Sequence, residues 1–243
     1  MTNDYFADHY EARVRPDFEA WLPHAPWESA EVSAEGLSIA WRFPVVTGFA
    51  IRVGLHPVNQ ETEGCRFQTN VGFCSGAIAA IEEVAGFGEF FPDGQYRGEH
   101  DGLLIQLYAE GLHRLLNGGP IKLARWHPTS GLLGGEQWRD SVERALDMLR
   151  PLVADLDGNL ETIFAIDELG GGPRPSPVRL FRDPHLLAAE VCIARGEPAA
   201  ARSYLARGRA QGWVRKSGFP NAAIDARRPR KAELLEAHCD LRH

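Results

Sequence analysis

Apolar residues recur every third or fourth position from Tyr5 to Leu22, where Tyr10, Val14, Phe18, Trp21 and Leu22 continue a face begun by Tyr5 and Phe6. That period predicts an amphipathic helix, kinked or divided by Pro16 and stopped at Pro23-His24-Ala25-Pro26. The period then changes to two. Leu37–Phe43 and Phe49–Leu55 alternate apolar with small or polar residues across a short Thr47-Gly48 break. A third run, Cys65–Phe73, follows a polar turn at Asn59–Gly64. Three adjacent runs with short connections predict an antiparallel meander, because parallel neighbours need a crossover of a dozen or more residues. One face of such a sheet is buried and the other is covered or wet.

Further along, Ala77–Val84 reads as a short helix, and Leu103–Leu107 either ends a strand or begins a helix reaching Leu116. Ile121–Trp126 alternates again between Gly118-Gly119-Pro120 and His127-Pro128, which predicts another strand. From Gly135 the pattern is helical: Trp138, Val142, Ala145, Leu146, Leu149, Leu152, Val153 and Leu156 form one stripe, with a bend expected at Pro151. A shorter helix follows at Leu160–Leu169. Gly170-Gly171-Gly172-Pro173-Arg174-Pro175-Ser176-Pro177 reads as a linker, giving an expected division into an α+β domain (1–169), a Gly/Pro linker (170–182) and a helical hairpin with a basic tail (183–243). Leu186–Arg195 and Pro198–Gln211 form that hairpin, turning at Gly196. It resembles one tetratricopeptide-type unit. No second copy occurs, and repeat folds need about three, so it is read as an appendage.

The expected class is therefore α+β: an antiparallel meander packed by helices, with a C-terminal helical hairpin. Composition agrees, with 44% hydrophobic and 24% charged residues among 243, a mixture that can bury a core. The four cysteines (Cys65, Cys74, Cys192, Cys239) are scattered and read as free thiols. No basic segment precedes an apolar run at the amino terminus and no stretch approaches about 20 apolar residues, so a cytoplasmic location without membrane contact is expected. Charge is uneven: of a formal −7, the stretch from Arg202 onward carries ten basic and four acidic residues, leaving −13 for the first 201. Such a tail binds anions such as nucleic acid or docks on its own acidic body.

Chemistry is harder to find. Glu99, His100, Asp101, Glu110 and His113 are the densest ionisable group. On a helix, Glu110 and His113 would share a face as i and i+3, half of a carboxylate-bridged di-metal site, but no second Glu-x-x-His exists and a solvated helix face is the preferred reading. Glu99, His100, Asp101 and His113 stand as weak catalytic candidates. Arg182, Asp183 and His185 precede a helix, where Asp183 before Pro184 already suits a cap. The glycine clusters match neither phosphate-binding spacing, and Gly72 with Ser75-Gly76 builds no nucleophile elbow. No metal site and no cofactor are expected. Arg42, Arg52, Arg66 and Gln68 are the binding candidates: with aligned registers they form a cationic patch on one sheet face, although arginines lying over a half-exposed sheet explain them too.

The order of these features (an opening helix, a strand reading Phe67-Gln68-Thr69-Asn70-Val71-Gly72-Phe73, an Arg125-Trp126 strand, a long helix from Trp138 and a Gly-centred hairpin) resembles the bacterial 4304-type domain-of-unknown-function family over Tyr5 to Gln211. The resemblance implies a fold and no catalytic residues. Similar small α+β proteins of unknown function are often found beside polymorphic toxin genes, where immunity proteins bind and block a toxin, an analogy of class rather than of site. The expectation is a protein-binding module of immunity or antitoxin type rather than an enzyme. A small hydrolase or transferase with a site gathered from dispersed polar residues is the alternative, and nucleic-acid binding through the tail is the second.

Overall fold

A computed structural model describes residues 10–22, 29–33, 38–46, 48–61, 64–84, 103–156, 160–170, 176–180, 183–213 and 228–241. The chain divides into two units, each assembled from separated segments: the first from Met1–Val45, Ala50–Gly72 and Leu107–Leu149, the second from Val46–Phe49, Phe73–Gln106 and Arg150–His243.

The first unit holds an antiparallel sheet under a short helix. A single turn of π-helix at Tyr10–Val14 leads into α1 (Arg15–Glu19), so the opening helix is divided beside Pro16, whose fixed φ and missing N–H suit a first-turn position. The sheet runs through β1 (Ser29–Ser33), β2 (Ser38–Val46), β3 (Phe49–Glu61) and β4 (Gly64–Cys74), each bonded to the next. The three alternating runs are thus the meander expected, although β3 extends to Glu61 and absorbs half of the anticipated polar turn. Two strands were not anticipated here. β1 pairs with β2 in the register Ser29↔Arg42 to Ser33↔Ser38, and β7 (Gly131–Leu133) pairs with β6 (Ala124–His127), itself paired with β4. β6 begins at Ala124 rather than Ile121, since Ile121–Leu123 take no part in the ladder.

Alternation fixes which side of this sheet is filled. Trp41, Ile51, Val53, Leu55, Cys65, Phe67, Val71 and Trp126 are all buried. Phe18 of α1 meets Phe67 edge-on at 5.2 Å and Trp138 at 4.9 Å. Its neighbours in α1 take up the indole N–H groups that a buried tryptophan must satisfy: Trp126 Nε1 donates to Asp17 at 2.8 Å and Trp41 Nε1 to Glu19 at 2.9 Å. Trp138 sits on α4 (Gly135–Asp155), a helix carrying Pro151 within it, whose residues from Arg150 onward belong to the second unit. α3 (Ala109–Asn117) follows β5 (Leu103–Tyr108) directly, so Leu103–Leu116 is a strand and then a helix.

The second unit is mostly helical. Ser75 caps α2 (Gly76–Val84) by accepting the Ile78 N–H at 3.2 Å, and its hydroxyl donates to Gly48 O at 2.7 Å, while Phe49 stacks on Phe73. α5 (Glu161–Gly170) packs on β8 (Val178–Leu180). The hairpin is present as α6 (Pro184–Ala194) and α7 (Pro198–Ala210), with Gly196 at φ +78° supplying the left-handed turn. It is not an appendage. α6 is buried from Pro184 to Ile193 because α2, α5, α7 and α8 (Arg228–Leu241) all pack on it, and a helix apolar on every side needs such company. All four cysteines are buried as thiols rather than as disulfides.

Gly208 of α7 shows how tightly this bundle closes. A Cβ placed there would lie 2.3 Å from the Trp213 ring and 2.9 Å from His185 Cβ. Gly208→Ala should therefore destabilise by about 1–3 kcal/mol despite its better helix propensity, because the ring cannot withdraw from a filled core. Urea unfolding measures this, and an unchanged midpoint would show that the ring does yield.

Candidate functional site

The strongest polar cluster of the first unit forms where α3 meets β4. Glu110 stands in the first turn of α3 and is only 3% exposed. The solvated-face reading is therefore wrong for this residue. Its Oε2 accepts the backbone N–H of Thr69 at 3.1 Å, while Oε1 is buried with no hydrogen-bond partner. Thr69 is itself fully buried on β4, and its Oγ1 accepts Trp138 Nε1 at 2.8 Å, leaving the hydroxyl hydrogen for the carboxyl. Burial pushes the Glu110 carboxyl up to about 7 against the opposing pull of the Thr69 hydroxyl and two backbone amides. Tyr108 is pushed up to about 12, by burial first and by the Glu110 charge second.

His113, one turn along α3, is half-buried, and its Nδ1 has no hydrogen-bond partner. No hydrogen bond joins it to Glu110. Glu99, His100 and Asp101 lie outside the described residues. Among the described residues no group of three or more His, Cys, Asp or Glu is gathered to hold a metal ion. What the cluster can do chemically is hold and release one proton in a dry setting.

The binding candidates lie on the other pleat positions of the same strands. Arg42, Arg52 and Gln68 are half-buried and Arg66 is exposed, each alternating with buried neighbours such as Trp41, Ile51 and Phe67. The Nε atoms of Arg42, Arg52 and Arg125 are out of solvent contact, so these side chains lie along the sheet. Arg66 is directly opposite Arg125, a residue not among the sequence candidates, and Gln68 donates to Asn70 Oδ1 at 3.3 Å. Only the register with β6 reveals that pair.

In the second unit Asp183 is the cap expected, accepting the His185 N–H at 2.9 Å. Its second oxygen lies 3.5 Å from Arg228 of α8, and Arg228 also donates to Trp213 O. His185 is buried against Phe164, and the Arg207 guanidinium lies over both Phe164 and Tyr204. These contacts have a structural purpose: they join α5, α7 and α8 to the start of α6. The basic tail is drawn into the same network. Arg202 bonds Asp240, Arg207 bonds Glu161, Arg209 bonds Glu236 and Arg230 bonds Glu233.

Comparison with protein-family models, with curated proteins and with solved structures returns no significant match to this chain. No helix among the described residues is long and apolar enough to cross a membrane.

Proposed function

We propose that this chain is a protein-binding module of the immunity or antitoxin kind, which engages an acidic surface of its partner through the polar side of its sheet. The observation that carries this reading is the cross-strand pair Arg66↔Arg125, with Arg42 and Arg52 on the corresponding pleat positions of β2 and β3. Two guanidinium groups at directly opposite positions concentrate positive charge on that face, and the planar guanidinium fork suits carboxylates of an acidic partner. The ion pairs that occupy Arg202, Arg207, Arg209 and Arg230 support a protein partner over nucleic acid. A small hydrolase or transferase is the second reading, favoured by the shifted Glu110 carboxyl, since perturbed groups cluster at functional sites.

Arg66 is exposed, so Arg66→Glu should leave the fold intact. Affinity capture from native lysate should recover a stoichiometric protein with the parent chain and about 10-fold less with Arg66→Glu, the loss growing at low salt. Equal recovery by both proteins at every salt concentration would overturn the sheet-face reading.

A further inference from the structure

We infer that Glu110 is a proton-operated clasp between α3 and β4, tightening the first unit when its carboxyl is protonated and loosening it when ionised. This is independent of partner binding and rests on how the carboxyl is placed. Glu110 is anchored at the start of α3, directly after β5, yet its side chain ends against the backbone of β4, where it bonds Thr69. Thr69 in turn bonds Trp138 of α4, so one carboxyl terminates a chain of hydrogen bonds that runs through three elements of the unit. Among the described residues donors reach only one of its oxygens, because Oε1 is buried with no hydrogen-bond partner. A negative charge there meets donors on one side alone and no counter-charge among the described residues, and burying a charge so incompletely compensated is costly.

Among the described residues, the groups facing it do not supply the missing charge. β4 presents Thr69 and α4 presents Trp138, neither ionisable near neutrality. Tyr108, at the end of β5, stays neutral with its hydroxyl pushed up to about 12. His113 follows one turn later on the same helix and makes no bond to the carboxyl, and among the described residues no cation is paired with Glu110.

The direction of the pH effect follows. The folded carboxyl holds its proton to about 7 whereas the unfolded one releases it near 4.5. Across that window the folded chain binds more protons than the unfolded chain, so the Glu110 contribution is fully favourable below it and is lost as pH rises through it. Glu110→Gln removes the titration and retains the acceptor for Thr69. Relative to the parent, the variant's folding equilibrium should improve by on the order of 100-fold between pH 4.5 and pH 8. A ratio of the two that stays constant over this range would overturn the clasp. A second reading needs no variant: in the isotope-labelled parent, the Glu110 carboxyl carbon and the Trp138 indole N–H should titrate together with a midpoint near 7. A midpoint below 5, or an indole signal that does not move with the carboxyl, would equally refute it.

Discussion

Asp183→Ala should destabilise the second unit by about 3–5 kcal/mol, the cost of removing one member of a buried ion pair. The carboxylate is fully enclosed, serves Arg228 with one oxygen and caps α6 with the other. α6 is the helix on which the rest of the unit packs, so loosening its first turn is felt by α5, α7 and α8 together. Asp183→Asn separates the two roles, because an asparagine side chain still accepts the His185 N–H but brings no charge to Arg228. It should recover about 1 kcal/mol relative to alanine, the usual worth of a cap. Chemical denaturation followed by circular dichroism measures both. A loss below about 1 kcal/mol for alanine would mean that Asp183 acts as a cap alone.

Trp138→Ala should cost the first unit about 3–5 kcal/mol, since it opens a cavity beneath Phe18 and strips the donor from Thr69. Trp138→Phe fills most of that space and loses only the indole N–H. The buried Thr69 oxygen then goes without its donor, for which about 1–3 kcal/mol is expected. Thermal unfolding of the two variants separates packing from hydrogen bonding. If phenylalanine proves as damaging as alanine, the hydrogen bond rather than the ring volume holds α4 to the sheet.

The strands of the meander were legible because the alternation Ile51-Arg52-Val53 or Phe67-Gln68-Thr69 is itself the record of a sheet buried on one side. Glu110 was not legible, for a physical reason. On α3 the carboxylate points inward while Leu115 and Leu116 are 43% and 51% exposed, so residue polarity names the wrong face of that helix. What turns Glu110 inward is Thr69, 41 positions earlier, and no local window contains both. β7 and β8 are three residues each, too short for periodicity to speak, and β1 (Ser29-Ala30-Glu31-Val32-Ser33) alternates with only two small apolar residues, too weak a signal to mark a strand. α8 was different, because its signal was present: Ala232, Leu235 and Cys239 recur at helical spacing and are buried, but the surrounding arginines made the segment read as a tail. Those arginines are instead largely engaged in ion pairs, three of them with acids of α8 itself. The Arg66↔Arg125 pair likewise required knowing which strand lies beside β4.

The interleaving of the two units sets the order in which the chain becomes able to fold. Phe18, Phe67 and Trp138 meet in one core but leave the ribosome far apart, and at synthesis rates of about 5–20 residues per second the first waits roughly ten seconds for the last. Through that interval α1 and the sheet lack the indole that closes them. The apolar side of the nascent meander is therefore a natural client surface for chaperones, and a ribosome stalled before Trp138 would present an open, aggregation-prone sheet rather than a finished domain.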